Sequence, residues 1–315
     1  MIKIEHLTKN YGSNCALDDI SFEIRRGETV GFLGPNGAGK STTMNILTGY
    51  LSASTGLVSV ADINILSNPI EAKKLIGYLP EQPPVYLDMT VNEYLNFNYD
   101  LKGCTLDREP HLAEICEVVK ISDVRKRVIR NLSKGYRQRV GVAQALIGNP
   151  PIIIFDEPTV GLDPKQIIEV RNLIRNLGKT HTVILSTHIL SEVQSVCNRI
   201  VVINNGKIVA DEKTENLNKT INENTRYRVK VSGPQREVAQ TLRNLPGVVS
   251  IESLNERDAD SFAYIIESEP SLDIRKKLFK TLADKGWPML GLEGIGAELE
   301  DIFIKLTDKN GKKGE

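Results

Sequence analysis

Residues 34–42 read Gly-Pro-Asn-Gly-Ala-Gly-Lys-Ser-Thr, between the apolar run Thr29 to Leu33 and a helical stretch from Thr42 to Leu47. A Gly-rich loop that joins a buried strand to a helix commits the chain to an α/β layout with a ligand at the sheet edge. The residue types suit a phosphate cradle. Gly34 and Gly39 let the backbone curl so that N–H groups point inward, with Pro35, Asn36, Gly37 and Ala38 completing the loop. Lys40 can reach β- and γ-phosphates, Ser41 offers its hydroxyl to Mg²⁺, and Thr42 opens the helix. Each part answers a demand of a magnesium nucleotide.

At 315 residues the chain is long enough for one large and one small domain. Lys and Arg total 40 and Asp and Glu total 40, so no net charge draws the chain to a phosphate backbone or an anionic lipid surface. Nucleic acid is therefore not an expected partner. Cys15, Cys104, Cys116 and Cys197 are far apart, form no Cys-x-x-Cys pair and follow no signal peptide, which reads as four reduced thiols. No apolar stretch approaches the ~20 residues that cross a bilayer, so service to a membrane would run through a partner.

Ile2, Ile4 and Leu7 alternate with polar residues, and Ile20, Phe22 and Ile24 repeat the pattern, which predicts two half-buried strands. From Asn92 to Ile147 the spacing turns helical, with Tyr94, Leu95 and Asn98 and later Ile115, Val118 and Val119; the helical subdomain is expected over about residues 83–148. Short apolar runs at Ile152 to Phe155, Thr182 to Leu185 and Ile200 to Ile203 are of the kind buried in a parallel sheet, and helices over Lys165 to Leu177 and Ser191 to Cys197 complete an α/β core. The first domain thus spans 1–213. A polar linker is expected over 214–224. Beyond it, strands and helices in the order β-α-β-β-α-β predict a small ferredoxin-like α+β accessory domain over 225–307. Leu299, Ile302, Phe303 and Leu306 predict an amphipathic final helix, and residues 308–315 a disordered tail.

Further groups fall at matching strand ends. Ile152 to Phe155 delivers Asp156, suited to a Mg²⁺ shell, and Glu157, suited to polarising a water. Thr182 to Leu185 leads into Ser186, Thr187 and His188, whose imidazole can contact a γ-phosphate and its water.

In this order the motifs resemble those of the nucleotide-binding subunit of an ATP-binding cassette (ABC) transporter. The family's signature loop corresponds to Leu132-Ser133-Lys134-Gly135-Tyr136, followed by Arg137-Gln138-Arg139. The resemblance implies that Ser133 and Gly135 serve ATP held by a second cassette in a head-to-tail dimer, expected to be a homodimer. It also implies that Asp163, in Gly161-Leu162-Asp163-Pro164, is the D-loop residue linking the two sites, and that Tyr11 stacks on adenine. Lys134 and Tyr136 depart from the family's usual Gly and Gln, while the Ser and the second Gly are kept. In Gly77-Tyr78-Leu79-Pro80-Glu81-Gln82, Glu81 stands where the family's metal-reaching Gln is expected and Gln82 follows; either can serve. That segment resembles the branch paired with ABC-2 type permeases. The signature run, with Leu299-Glu300-Asp301-Ile302-Phe303, most resembles the gliding-motility ATPase group.

The resemblance implies an ATP hydrolase with Mg²⁺ as cofactor, coupled to a polytopic membrane permease at the cytoplasmic face of the plasma membrane and exporting an unspecified cargo. A cassette ATPase acting on nucleic acid or the ribosome is the alternative; it would carry two cassettes or a coiled coil, and the sequence holds one phosphate loop and no heptad run. The accessory domain contains no His, Cys or phosphate loop, so packing and dimer bracing are expected of it before ligand sensing.

Overall fold

The computed structural model describes residues 1–216, 225–258, 260–269 and 272–295. The chain divides into two compact units, Met1–Thr214 and Glu215–Glu315.

The first unit opens with β1 (Ile2–Tyr11) and β2 (Asn14–Ile24), an antiparallel pair joined through Gly12 at φ 60°. Their alternating Ile and Leu residues face inward, as the two-residue period predicts. Next come β3 (Thr29–Leu33), α1 (Lys40–Leu47), β4 (Thr55–Val60), β5 (Ile63–Asn64), α2 (Pro69–Lys74) and β6 (Ile76–Leu79). Strands β2, β1, β4 and β5 form one antiparallel sheet in that order. The expected start of α1 at Thr42 moves back to Lys40, because the turn at Gly39 already releases a helical backbone.

The helical segment holds α3 (Val91–Leu101), α4 (Arg108–Val118) and α5 (Lys134–Leu146). Thr90 caps α3 with a reciprocal box to Glu93, which fixes where the helix begins. Ile115 and Val119 are buried as expected, but Val118 remains exposed, on the lining of a surface cavity. Lys102 folds onto the far end of α5, where Nζ donates to the carbonyls of Gln144 (2.7 Å), Ala145 (3.3 Å) and Ile147 (3.1 Å). A cation there satisfies carbonyls that the helix leaves open.

The chain returns to the centre with β7 (Ile152–Asp156), α6 (Pro164–Leu177), β8 (Thr182–Thr187), α7 (Leu190–Val196), β9 (Arg199–Asn204) and β10 (Lys207–Lys213). Together with β3 and β6 these strands form a six-stranded sheet in the order β10-β9-β3-β8-β7-β6. All its pairs are parallel except β10 with β9. Strands β3, β7 and β8 are buried at every residue, which is why they read as unbroken apolar runs. One face, carrying Val30, Phe32, Ile152, Ile154, Ile184 and Val201, packs with α1 and the antiparallel sheet into a single core.

Glycines set two close approaches. A methyl on Gly77 of β6 would lie 2.3 Å from the carbonyl oxygen of Ala145, and one on Gly141 of α5 would lie 2.6 Å from Leu79 Cδ1. Helix α5 is thus seated on β6 with no room for a side chain at either point. Thr214, expected to begin the linker, is instead buried at the end of the first unit, donating to the Cys197 carbonyl at 2.8 Å.

The second unit runs β11 (Thr225–Ser232), α8 (Gln235–Arg243), β12 (Val248–Asp258), β13 (Ser261–Ser268), α9 (Arg275–Asp284) and β14 (Met289–Ile295). Its sheet is antiparallel throughout, ordered β12-β13-β11-β14. Val238 and Leu242 of α8 and Leu278 and Leu282 of α9 cover Tyr227, Val229, Tyr264 and Ile266. The expected helix through Leu299, Ile302, Phe303 and Leu306, the tail 308–315 and most of the linker (217–224) lie outside the described residues.

Candidate nucleotide site

Strand register brings the chemistry to one edge. Leu33 of β3 pairs with Thr187 of β8, and Asp156 of β7 pairs with Ser186, so three loops leave the sheet side by side. In the first loop, Pro35, Asn36 and Gly37 are exposed while Ala38 and Gly39 are buried. Two glycines are required there for different reasons. Gly39 adopts φ 108°, and a methyl on it would also meet the Ala16 carbonyl oxygen at 2.8 Å; Gly34 has no room, since a methyl would stand 2.4 Å from the Ile203 carbonyl oxygen.

Lys40 is buried, and its Nζ donates to the carbonyls of Gly34 (2.8 Å) and Pro35 (3.2 Å), so the ammonium curls back over the loop. The same ammonium lies 3.4 Å from Glu157 Oε1. Ser41 is exposed at the open end of α1, Thr42 is half-buried, and Thr43 donates to the Gly39 carbonyl at 2.9 Å, closing the first turn.

Asp156 ends β7 and accepts from the Ser186 hydroxyl at 2.7 Å. Burial pushes its carboxyl above the ordinary carboxylate range, against the hydroxyls of Ser186 and Ser41 and the charge of Lys40, which favour the ionised form. Glu157 follows with φ 47°, a left-handed turn rare outside glycine, while its N–H still reaches the Ser186 carbonyl at 2.9 Å. The turn directs a buried carboxylate between two cationic or donor groups. His188 Nδ1 is 3.0 Å from both Glu157 oxygens, so the carboxylate makes Nδ1 the hydrogen-bearing nitrogen.

Asp156 and Ser41 also fit Mg²⁺. Among the described residues no group of three His, Cys, Asp or Glu could hold a metal, so an ion here would take one carboxylate and one hydroxyl from the protein. That sparse donor set suits an ion that keeps waters and shares phosphate oxygens.

The remaining expected residues lie elsewhere in the first unit. Glu81 and Gln82 follow β6, one strand beyond β7, and are exposed on a cavity of about 380 Å³ lined also by Lys134, Arg137 and Gln138. Among the described residues neither is hydrogen-bonded to Ser41 or Asp156. Ser133 caps α5, accepting from the Tyr136 N–H at 3.3 Å. Gly135 is buried where a methyl would meet Gln166 at 2.6 Å, so its neighbours belong to α6 and not to the phosphate loop. Asp163 caps α6, accepting from the Gln166 N–H at 2.9 Å. Tyr11 ends β1, half exposed, with Lys9 Nζ 5.2 Å from its ring centre.

Some site neighbours owe their place to burial that the sequence does not show. Buried Gln138 donates to the Pro158 carbonyl at 3.1 Å, holding the residue after Glu157. Glu192, in α7, is 1% exposed and accepts from Thr187 Oγ1 at 2.9 Å and from Thr159 Oγ1. An acid in a short helix ordinarily reads as solvated; only the fold reveals this one as interior.

The family profile described as ABC transporter matches residues 17–160. The bacitracin transport ATP-binding protein BcrA of Bacillus licheniformis is 32% identical over 308 residues, covering 97% of both chains. The Nod factor export ATP-binding protein I of Ralstonia nicotianae is 31% identical over 314 residues, covering 98% of this chain and 94% of its own. Among solved structures, a dimeric ATP-binding cassette in a post-hydrolysis state with ADP and Pi superposes with a TM-score of 0.62 at 28% identity, covering 68% of this chain and 99% of the other. With Lys40, Asp156, Glu157 and His188 gathered at the edge of a P-loop α/β sheet, the chain belongs to the ATP-binding proteins of ABC transporters and is an ATP hydrolase of that family.

Proposed function

We propose that the protein is the ATP-driven subunit of an ABC-2 type exporter, working as a homodimer of cassettes beneath a polytopic membrane permease. The observation that carries the hydrolytic part is the contact of buried Glu157 with Lys40 on one side and His188 on the other. In this reading Lys40 and the loop N–H groups bind the β- and γ-phosphates, and Tyr11 stacks on adenine. Glu157 accepts the proton of the attacking water, and His188 holds that carboxylate and the water in line. Ser41 and Asp156 would hold Mg²⁺, with Glu81 or Gln82 reaching it from the neighbouring strand; the ion, when bound, neutralises charge on the phosphate oxygens.

Ser133 and Gly135 stand at the start of α5. The close approach of Gly135 to Gln166 of α6, with Ser133 capping α5, supports a role toward the nucleotide of a second copy, with Asp163 between the two sites. The solved relative with ADP and Pi is dimeric, which favours the same pairing here. Export, the permease and a place at the cytoplasmic face of the plasma membrane are supported by the relatives named for bacitracin transport and Nod factor export. Among the described residues no helix is long and apolar enough to cross a membrane, so the spanning part would belong to the partner. The Gly77 to Glu81 segment and the signature run support the ABC-2 branch and its gliding-motility group.

The reading divides the chain into a cassette over 1–213 with its helical subdomain at about 83–148, a linker, an accessory domain over 225–307 and a tail. The β-α-β-β-α-β order with strands β12-β13-β11-β14 supports a ferredoxin-like class for the accessory domain, braced against its counterpart in the dimer. The test is to isolate tagged Glu157→Gln protein from gently solubilised membranes with ATP present and identify its companions by mass spectrometry. Recovery of a polytopic membrane protein is expected; recovery of ribosomes or nucleic acid would overturn the transporter reading.

A further inference from the structure

Glu192 is a charged side chain where the fold leaves almost no water. A carboxylate so placed is costly unless each oxygen is satisfied. Here each oxygen has its own donor: Oε1 accepts from the Thr159 hydroxyl, and Oε2 from the Thr187 hydroxyl at 2.9 Å. Arg171 Nη2 of α6, 3.7 Å from Oε1, supplies the counter-charge.

Thr159 lies in the loop after β7, and Thr187 is the last residue of β8. Thr159 is two residues beyond Glu157, in the segment whose left-handed turn must be held by its surroundings. Thr187 is the residue before His188, and its hydroxyl also accepts from the Ile189 N–H at 3.1 Å, fixing the turn that follows. One carboxylate therefore spans the two segments that supply Glu157 and His188. Its helix is also seated on β3, the strand that leads into the phosphate loop, because Val193 fills the space beside Gly31, where a methyl would stand 2.1 Å from Val193 Cγ1.

We propose that Glu192 is a positioning residue for hydrolysis, whose buried carboxylate ties the loop after Glu157 to the end of β8, just before His188, through Thr159 and Thr187. The proposal rests on the roles assigned above to Glu157 and His188. Nothing in it requires Glu192 to touch nucleotide. Its loss should leave ATP binding in place while the base and the imidazole drift out of register, and a misplacement on the order of 1 Å costs roughly 10²-fold in rate.

Glu192→Gln, Thr159→Val and Thr187→Val test the proposal in the full-length protein by steady-state phosphate release, with ATP affinity measured by equilibrium binding. The valine variants keep side-chain shape and remain informative should Glu192→Gln fail to fold. The expected result is a kcat about 10- to 100-fold lower with ATP affinity within about threefold of the parent. Combined with His188→Ala, Thr187→Val should add almost no further loss, because the group it positions is gone. A kcat within twofold of the parent for both valine variants overturns the proposal. So does a parallel loss of binding and kcat, or a loss that multiplies with that of His188→Ala. If His188→Ala and Glu157→Gln themselves turn over at the parental rate, the assignment of the site fails and the positioning role fails with it.

Discussion

His188 Nδ1 is equidistant from the two carboxylate oxygens of Glu157, at 3.0 Å each. The imidazole thus restrains the carboxylate without consuming either oxygen alone, and its exposed side remains open to the loop edge. Replacing Glu157 by Gln keeps the shape and removes the charge that the proposed base requires. Turnover should fall by about 10²- to 10⁴-fold while ATP affinity stays near the parental value. His188→Ala should lower kcat with little change in binding; single-turnover phosphate release checks both, and parental rates would return these residues to structural roles.

Lys40 is held by two loop carbonyls and by Glu157. Its ammonium is positioned by the backbone it serves. Hydrogen bonds to charged groups are worth about 1.5–3 kcal/mol, so Lys40→Ala should weaken ATP binding roughly 10- to 100-fold. Titration with a fluorescent ATP analogue checks this, and undiminished affinity would place the phosphates elsewhere.

The two positive-φ glycines of the loop should respond differently to alanine. Gly37, at φ 80°, has open space where a methyl would go, so Gly37→Ala carries only the backbone penalty, about 1–2 kcal/mol. Gly39→Ala adds collisions with the Ala16 carbonyl and Leu17. Urea unfolding should rank Gly39→Ala well below Gly37→Ala; equal midpoints would contradict the crowding.

Lys102 supplies a pH signature. Burial lowers its pKa from 10.5 to about 8 in the fold. Below pH 8 both folded and unfolded chains carry the proton, and the burial cost is present in full. Between about pH 8 and 10.5 only the unfolded chain holds it, so stability from this group rises with pH, by up to about 3 kcal/mol. Denaturation at pH 7.5, 9 and 10 should show a gain in the parent that Lys102→Met lacks. Parallel trends in the two proteins would refute the assignment.

Much of the site was legible because its groups are delivered by strands buried on both faces. Uninterrupted runs such as Ile152 to Phe155 announce themselves, and the polar residue that ends each run must stand at the sheet edge. Strand β6 was not legible. Gly77 and the following Pro80 weaken its signal, yet the glycine is there because α5 passes too close for any side chain. Val118 failed for the opposite reason: its apolar character fits the helical period, but the cavity beside it leaves it uncovered. Glu192 was invisible and Gln138 showed only as one letter of the signature run, since their importance lies in burial and in partners far along the chain, Thr159 and Pro158. Local pattern carries no record of such pairs.

The seating of α5 on β6 also has a mechanical meaning. With glycine on both sides of the contact, the helix that begins at Ser133 rests on its strand like a beam without a shim. A single methyl at Gly77 or Gly141 would act as a wedge under that beam. The chain therefore contains a place where the seating of α5 can be detuned by volume alone.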